Sequence, residues 1–123
     1  MAQVLVVDDS NTMREIVGSF LSQNGFEVTV ASDGRDGLVQ LHKDPGIRLI
    51  VSDVNMPNMD GLTMAEKIRT ELGNTDVRIV MLTTEDNTAI RARGREIGVT
   101  GWIVKPFRGE AVLGPFRKFC GLG

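Results

Sequence analysis

Five short apolar runs alternate along the chain with five stretches of helical periodicity, and few architectures accept that rhythm. Val4–Val7 and Leu49–Val51 are unbroken by polar residues, as strands buried on both faces of a parallel sheet must be. Glu27–Ala31 alternates instead, with Val28 and Val30 on one face, which suits an edge strand. Val77–Leu82 and Val99–Val104 supply the fourth and fifth strands. Between them, Met13, Ile16, Val17, Phe20 and Leu21 recur at helical spacing, as do Leu38 and Leu41, then Leu62, Ala65, Ile68 and Leu72.

Local signals mark where these helices start and stop. The first can be capped by Ser10, or by Thr12 with Glu15 in a capping box; Asp33 and Asp60 cap the second and third. Glycines 25, 46, 73 and 98 close the first four. The fourth helix, from about Glu85 to Ile97, has only Ile90 and Ile97 on its apolar face and contains Gly94, which costs roughly 1 kcal/mol against alanine. It should be the least firmly packed. The last helix should run from about Gly109 to Phe119, and Gly114-Pro115 inside it predicts a kink or a late start, because proline lacks an N–H and clashes with the carbonyl of Ala111. Regular strand–helix alternation implies a doubly wound α/β fold: a parallel sheet, right-handed crossovers and helices on both faces.

The totals narrow the function. A chain of 123 residues is expected to form a single domain over 1–123. Its 14 basic and 16 acidic residues leave a net charge of −2, with no basic stripe for nucleic acid. No apolar stretch reaches the roughly 20 residues of a membrane span, and MAQVLVVDD lacks the basic start of a signal peptide. The lone Cys120 has no internal disulfide partner, which fits a reducing compartment. A cytoplasmic protein is expected. His42, near a helix end, should face solvent; Met13 and Met81 fit the core.

The chemistry gathers at one end of the sheet. Asp8-Asp9 end the first strand, Asp53 the third, Thr83 the fourth and Lys105 the fifth. In open parallel sheets this C-terminal rim is where ligands bind. Three carboxylates within about 5 Å repel by roughly 3 kcal/mol per pair at an effective dielectric near 20, so a chain that gathers them needs cations. Lys105 supplies one charge and a divalent metal would supply two. All-oxygen ligands with few protein contacts favour Mg2+.

VVDDSNTMR at 6–14, DVNMPNMDG at 53–61, LTTE at 82–85 and KPF at 105–107 together resemble a response-regulator receiver domain of the stand-alone chemotaxis (CheY-like) type, over the whole chain. The resemblance implies a flavodoxin-like five-stranded parallel sheet of order 2-1-3-4-5 with five helices. It implies that Asp53 accepts a phosphoryl group from a histidine kinase's phosphohistidine. Asp9, Asp53 and the carbonyl of Asn55 would bind Mg2+, with Asp8 acting through a metal-bound water. Lys105 and Thr83 would contact the phosphoryl oxygens, and Lys105-Pro106 would be cis. Asn55 and Glu85 occupy positions that tune hydrolysis. Trp102 stands where the family carries the tyrosine or phenylalanine that switches with Thr83, and Thr84 replaces a small residue and should narrow access to Asp53. A monomer is implied, with output through the surface of the fourth helix, fifth strand and fifth helix. Arg91, Arg95, Arg117 and Lys118 lie on that surface, which would receive an acidic or amphipathic peptide. A flagellar motor switch protein and a phosphatase are the implied partners, and a phosphate sink or phosphorelay intermediate is the alternative. A metal-dependent phosphohydrolase would need a second acid where Asn55 stands, and a flavin phosphate would meet the acids Asp8 and Asp9.

Overall fold

The computed structural model describes residues 3–84 and 87–122. Its elements run β1 (Val4–Val7), α1 (Asn11–Gln23), β2 (Val28–Ala31), α2 (Gly34–Lys43), β3 (Leu49–Ser52), α3 (Gly61–Thr70), β4 (Arg78–Thr83), α4 (Thr88–Ile97), β5 (Gly101–Val104) and α5 (Gly109–Phe119). All strand pairs are parallel, in the order β2-β1-β3-β4-β5. Successive strand side chains point to opposite faces, so each strand feeds two cores. Leu5, Val7, Ile50, Ile79 and Met81 pack with Leu41, Leu62, Met64, Ala65 and Ile68 of α2 and α3. Val4, Val6, Leu49, Val51, Val80 and Leu82 pack with Val17 and Leu21 of α1 and with Phe116 of α5.

The edge position of β2 is as its alternation implies, with Val30 exposed. Ser10 caps α1 through the Met13 N–H, so the Thr12–Glu15 capping box does not open the helix. Asp33 and Asp60 cap α2 and α3 through the N–H groups of Asp36 and Thr63.

Other expectations need correction. Ile16 is 49% exposed, because the buried stripe of α1 narrows to Val17 and Leu21. Leu72 is exposed because α3 ends at Thr70, two residues short of it. Gly46 is not among the left-handed glycines; α2 closes on Asp44, whose N–H bonds the Gln40 carbonyl ahead of Pro45. Helix α4 starts at Thr88, where the Asn87 side chain caps the Ile90 N–H, rather than at Glu85. Glu85 and its tuning role lie outside the described residues. The fifth strand begins at Gly101, two residues later than its apolar run. Helix α5 begins at Gly109 and contains Pro115, so the late start is not realised. Among the described residues of α4 only Gly94 is fully buried, in keeping with its thin apolar face. His42 is exposed, Met81 is buried, and Met13 is half-buried against the second core.

Candidate functional site

Strand register builds the site. Val7 of β1 pairs with Ser52 of β3, so the next residues, Asp8 and Asp53, leave the sheet side by side. The Asp53 N–H donates to the Val7 carbonyl at 2.9 Å, and the Asp8 N–H donates to the Ala31 carbonyl at 3.1 Å. On the other side of β3, Thr83 ends β4 and pairs with Val104, and the Lys105 N–H donates to the Thr83 carbonyl at 2.9 Å. Four strand ends thereby bring Asp8, Asp53, Thr83 and Lys105 to one rim.

Each inner carboxylate accepts a backbone N–H with one oxygen and turns the other to Lys105. Asp8 Oδ1 accepts the Ser10 N–H at 2.9 Å, and Asp53 Oδ1 accepts the Val54 N–H at 2.8 Å. Both Oδ2 atoms face Lys105, whose Nζ lies 3.6 Å from Asp8 and 3.7 Å from Asp53. Oxygens of Asp8, Asp9 and Asp53 all lie within 4.8 Å of one another, with Asp8 buried, Asp53 half-buried and Asp9 exposed. Burial raises the Asp53 carboxyl above its ordinary value, and the Asp8 charge adds to this. The Lys105 ammonium and the Val54 N–H pull the other way, and Asp9 pushes it up again. Among the described residues the site therefore sets the three carboxylates against the Lys105 ammonium, a deficit of two positive charges within that group. A compact all-oxygen donor set with that deficit fits a hard divalent cation such as Mg2+.

The neighbouring expectations have mixed outcomes. Thr83 is buried and Thr84 is exposed at the end of β4. Asn55 is exposed on the loop after Asp53, and the Lys105-Pro106 bond is cis. Trp102 is half-buried, with its indole against Gly94 of α4. A Cβ at position 94 would sit 2.5 Å from the ring, so the glycine that weakens the helix makes the notch the indole fills. Arg91 lies over the same ring, 5.7 Å from its centroid, so it is engaged with Trp102 rather than freely solvated. Arg95 of α4 and Lys118 of α5 are exposed, whereas Arg117 of α5 is half-buried and its guanidinium donates to the Asn24 carbonyl at 3.2 Å.

Two supports escaped the sequence reading. The Arg14 guanidinium donates to the Asp8 carbonyl at 2.6 Å, tying α1 to the acidic turn. Phe107, two residues beyond Lys105, meets Phe20 of α1 edge-to-face, with centroids 5.7 Å apart. Gly109 lies against Phe20 where a Cβ would overlap the ring, so α1 fixes the segment that carries the lysine. Only the KPF motif itself hinted at this.

Fold and acidic rim together define a phosphoryl-accepting switch of two-component signalling. The profile of the response regulator receiver domain matches residues 4–114, and the chain belongs to that family. A Campylobacter jejuni chemotaxis protein CheY homolog is 35% identical over 98% of this chain and 94% of its own length. The Helicobacter pylori chemotaxis protein CheY1 is 38% identical over 85% of this chain and 86% of its own. Among solved structures, Vibrio cholerae chemotaxis protein CheY4 superposes with a TM-score of 0.88 at 39% identity, covering 97% of this chain and 98% of that one. Receiver domains bind Mg2+ at an acidic pocket, and CheY-like members interact with histidine kinases and motor switch proteins. Among the described residues no helix is long and apolar enough to cross a membrane.

Proposed function

We propose that the whole chain acts as one cytoplasmic, monomeric receiver whose phospho-acceptor is Asp53, and that its phosphorylation controls protein binding in chemotaxis. The observation that carries this is the shared lysine: one ammonium within 3.7 Å of two carboxylates at the end of the sheet. A carboxylate oxygen that faces a cation and accepts no backbone N–H, at the end of the sheet, suits an attacking nucleophile.

In the proposed reaction Asp53 Oδ2 attacks the phosphorus of a kinase phosphohistidine. The P–O bond forms as the P–N bond breaks, and the electron pair stays on the imidazole nitrogen, which is then protonated from solvent. Asp9, Asp53 and the Asn55 carbonyl would hold Mg2+, with Asp8 reaching it through water. The bound ion would supply charge neutralisation for the phosphoryl oxygens. Lys105 exchanges its contact with Asp53 for one with the transferred group, and the Thr83 hydroxyl donates to a second oxygen. Trp102 follows Thr83 and changes the surface of α4, β5 and α5. That surface, with Arg91, Arg95, Arg117 and Lys118, receives an acidic or amphipathic segment of a motor switch protein. Water attack on the acyl phosphate, with or without a phosphatase, returns inorganic phosphate and the free carboxylate. Asn55, Thr84 and Glu85 set its rate.

Incubation with a small acyl phosphate and Mg2+ should add one phosphoryl group, located on Asp53 by borohydride reduction and peptide mapping. Asp53→Asn should abolish it. Undiminished labelling of the Asn variant would overturn the assignment. If phosphorylation leaves affinity for a motor switch protein unchanged, the phosphate-sink or relay reading replaces the binding switch.

A further inference from the structure

The loop from Val54 to Asp60 carries Asn55, yet its chain neighbours do not alone hold it in place. It is tied to the start of α2 at two points. The Asn58 amide donates to Asp33 Oδ2 at 2.6 Å, and the Gly34 N–H donates to the Met59 carbonyl at 3.0 Å. Asp33 is buried, and its other oxygen caps α2 through the Asp36 N–H at 2.8 Å. Asn58 has φ 66°, a left-handed conformation that asparagine tolerates better than most side chains. A Cβ on Gly34 would lie 2.6 Å from the Met59 carbonyl oxygen, so glycine lets the two segments meet. Met59 packs on the first core, and the Gly61 N–H closes the loop on the Val54 carbonyl at 2.8 Å.

We infer that Asp33 and Asn58 form a clasp that positions the Asn55 loop for metal binding, making both of them positioning residues for the phosphorylation site. The inference rests on the assignment of Asn55 as a carbonyl ligand. The hydrogen bonds to Asp36 and Asn58 hold the Asp33 carboxyl below its ordinary value, as expected of a carboxylate kept charged in the clasp. Asp33 spends one oxygen on the helix and one on the loop, so a single side chain ties the β2–α2 turn to the loop after β3. Removing the amide contact should leave the α2 cap intact and release only the loop.

The test uses the full chain, with Mg2+ alone as ligand. Asn58→Asp keeps a side chain suited to the left-handed backbone but sets a carboxylate against Asp33. The double variant Asp33→Asn with Asn58→Asp restores the pair with donor and acceptor exchanged, and asparagine caps a helix about as well as aspartate. Hydrogen exchange of amides 54–60 in EDTA reads the clasp without metal. Titration with Mg2+, followed by melting temperature, reads the site. Asn58→Asp should speed exchange in the loop and raise the Mg2+ Kd about ten-fold, as loss of a ligand's supporting contact does elsewhere. The double variant should recover both. Unchanged exchange would overturn the clasp. Faster exchange with unchanged Mg2+ affinity, or failure of the double variant to recover, would overturn its positioning role. Absence of Mg2+ binding in the unmodified protein would instead overturn the metal site, while the exchange measurement still reads the clasp.

Discussion

Replacing Asp53 by asparagine should stabilise the metal-free protein at neutral pH. At 4.8 Å, the distance within which the three acids lie, two unit charges repel by about 3.5 kcal/mol at an effective dielectric near 20. Lys105 at 3.7 Å attracts by about 4.5 kcal/mol on the same scale. Asp9 is exposed and screened, so the repulsion is mostly that of Asp8. Because 4.8 Å is the outer limit of that spacing, the repulsion is at least this large, and Asp8 outweighs Lys105 in its effect on the Asp53 carboxyl. To this is added the cost of keeping a carboxylate charged while half-buried, which is the leading reason the Asp53 carboxyl is raised. An amide escapes that cost and still accepts the Val54 N–H. The gain should be about 1–2 kcal/mol, or roughly 3–10 °C in melting temperature for a domain of this size.

The sign with pH follows from linkage. Because the folded-state value lies above the unfolded 3.8, the folded protein binds the extra proton. The unmodified chain therefore loses stability as pH rises from that value through the folded one. The advantage of Asp53→Asn should be small near pH 4 and full at pH 7. Calorimetric melting in EDTA at both pH values measures it. A parallel series in Mg2+ should raise the unmodified protein by about 1.4 kcal/mol at ten times Kd, and the variant by less. An asparagine variant that melts at or below the unmodified protein in EDTA at pH 7 would refute the reasoning.

Thr84→Ala should open the rim beside Asp53 and speed loss of the acyl phosphate roughly three-fold, the equivalent of about 0.6 kcal/mol, followed by phosphate release; an unchanged rate would show that Thr84 does not guard the site. Gly94→Ala gains about 1 kcal/mol of helix propensity but should evict the indole, shifting Trp102 emission to the red and raising its quenching by acrylamide; an unshifted spectrum would count against the notch. Arg91→Glu with Arg95→Glu should weaken binding to a motor switch protein about ten-fold, or about 1.4 kcal/mol, in a titration of the phosphorylated protein; unchanged affinity would move the docking surface elsewhere.

The sheet was readable because a strand covered on both faces cannot hide its composition, as Val4–Val7 and Leu49–Val51 show. Convergence of the acids followed from topology, since residues that end parallel strands must share a rim. The cap at Asp33 was equally local, being three residues from the N–H it accepts. Its second bond was not, because Asn58 lies on another loop and nothing in either segment names the other. Ile16 and Leu72 misled for a related reason: periodicity says that a face is apolar, but only the neighbouring layer decides how much of it is covered. The roles of Gly94 and Gly109 were invisible because a missing side chain gains meaning only from the ring placed against it.

Trp102 and Gly94 in effect share one volume. Exchanging the tryptophan alone for a smaller ring would leave a void in the seam between α4 and β5, and filling position 94 alone would expel the indole. Either first step is penalised and the second repairs it, so among relatives the two positions should vary as a couple. A survey that scores each site separately would then read both as rigid, when the constraint falls on their sum.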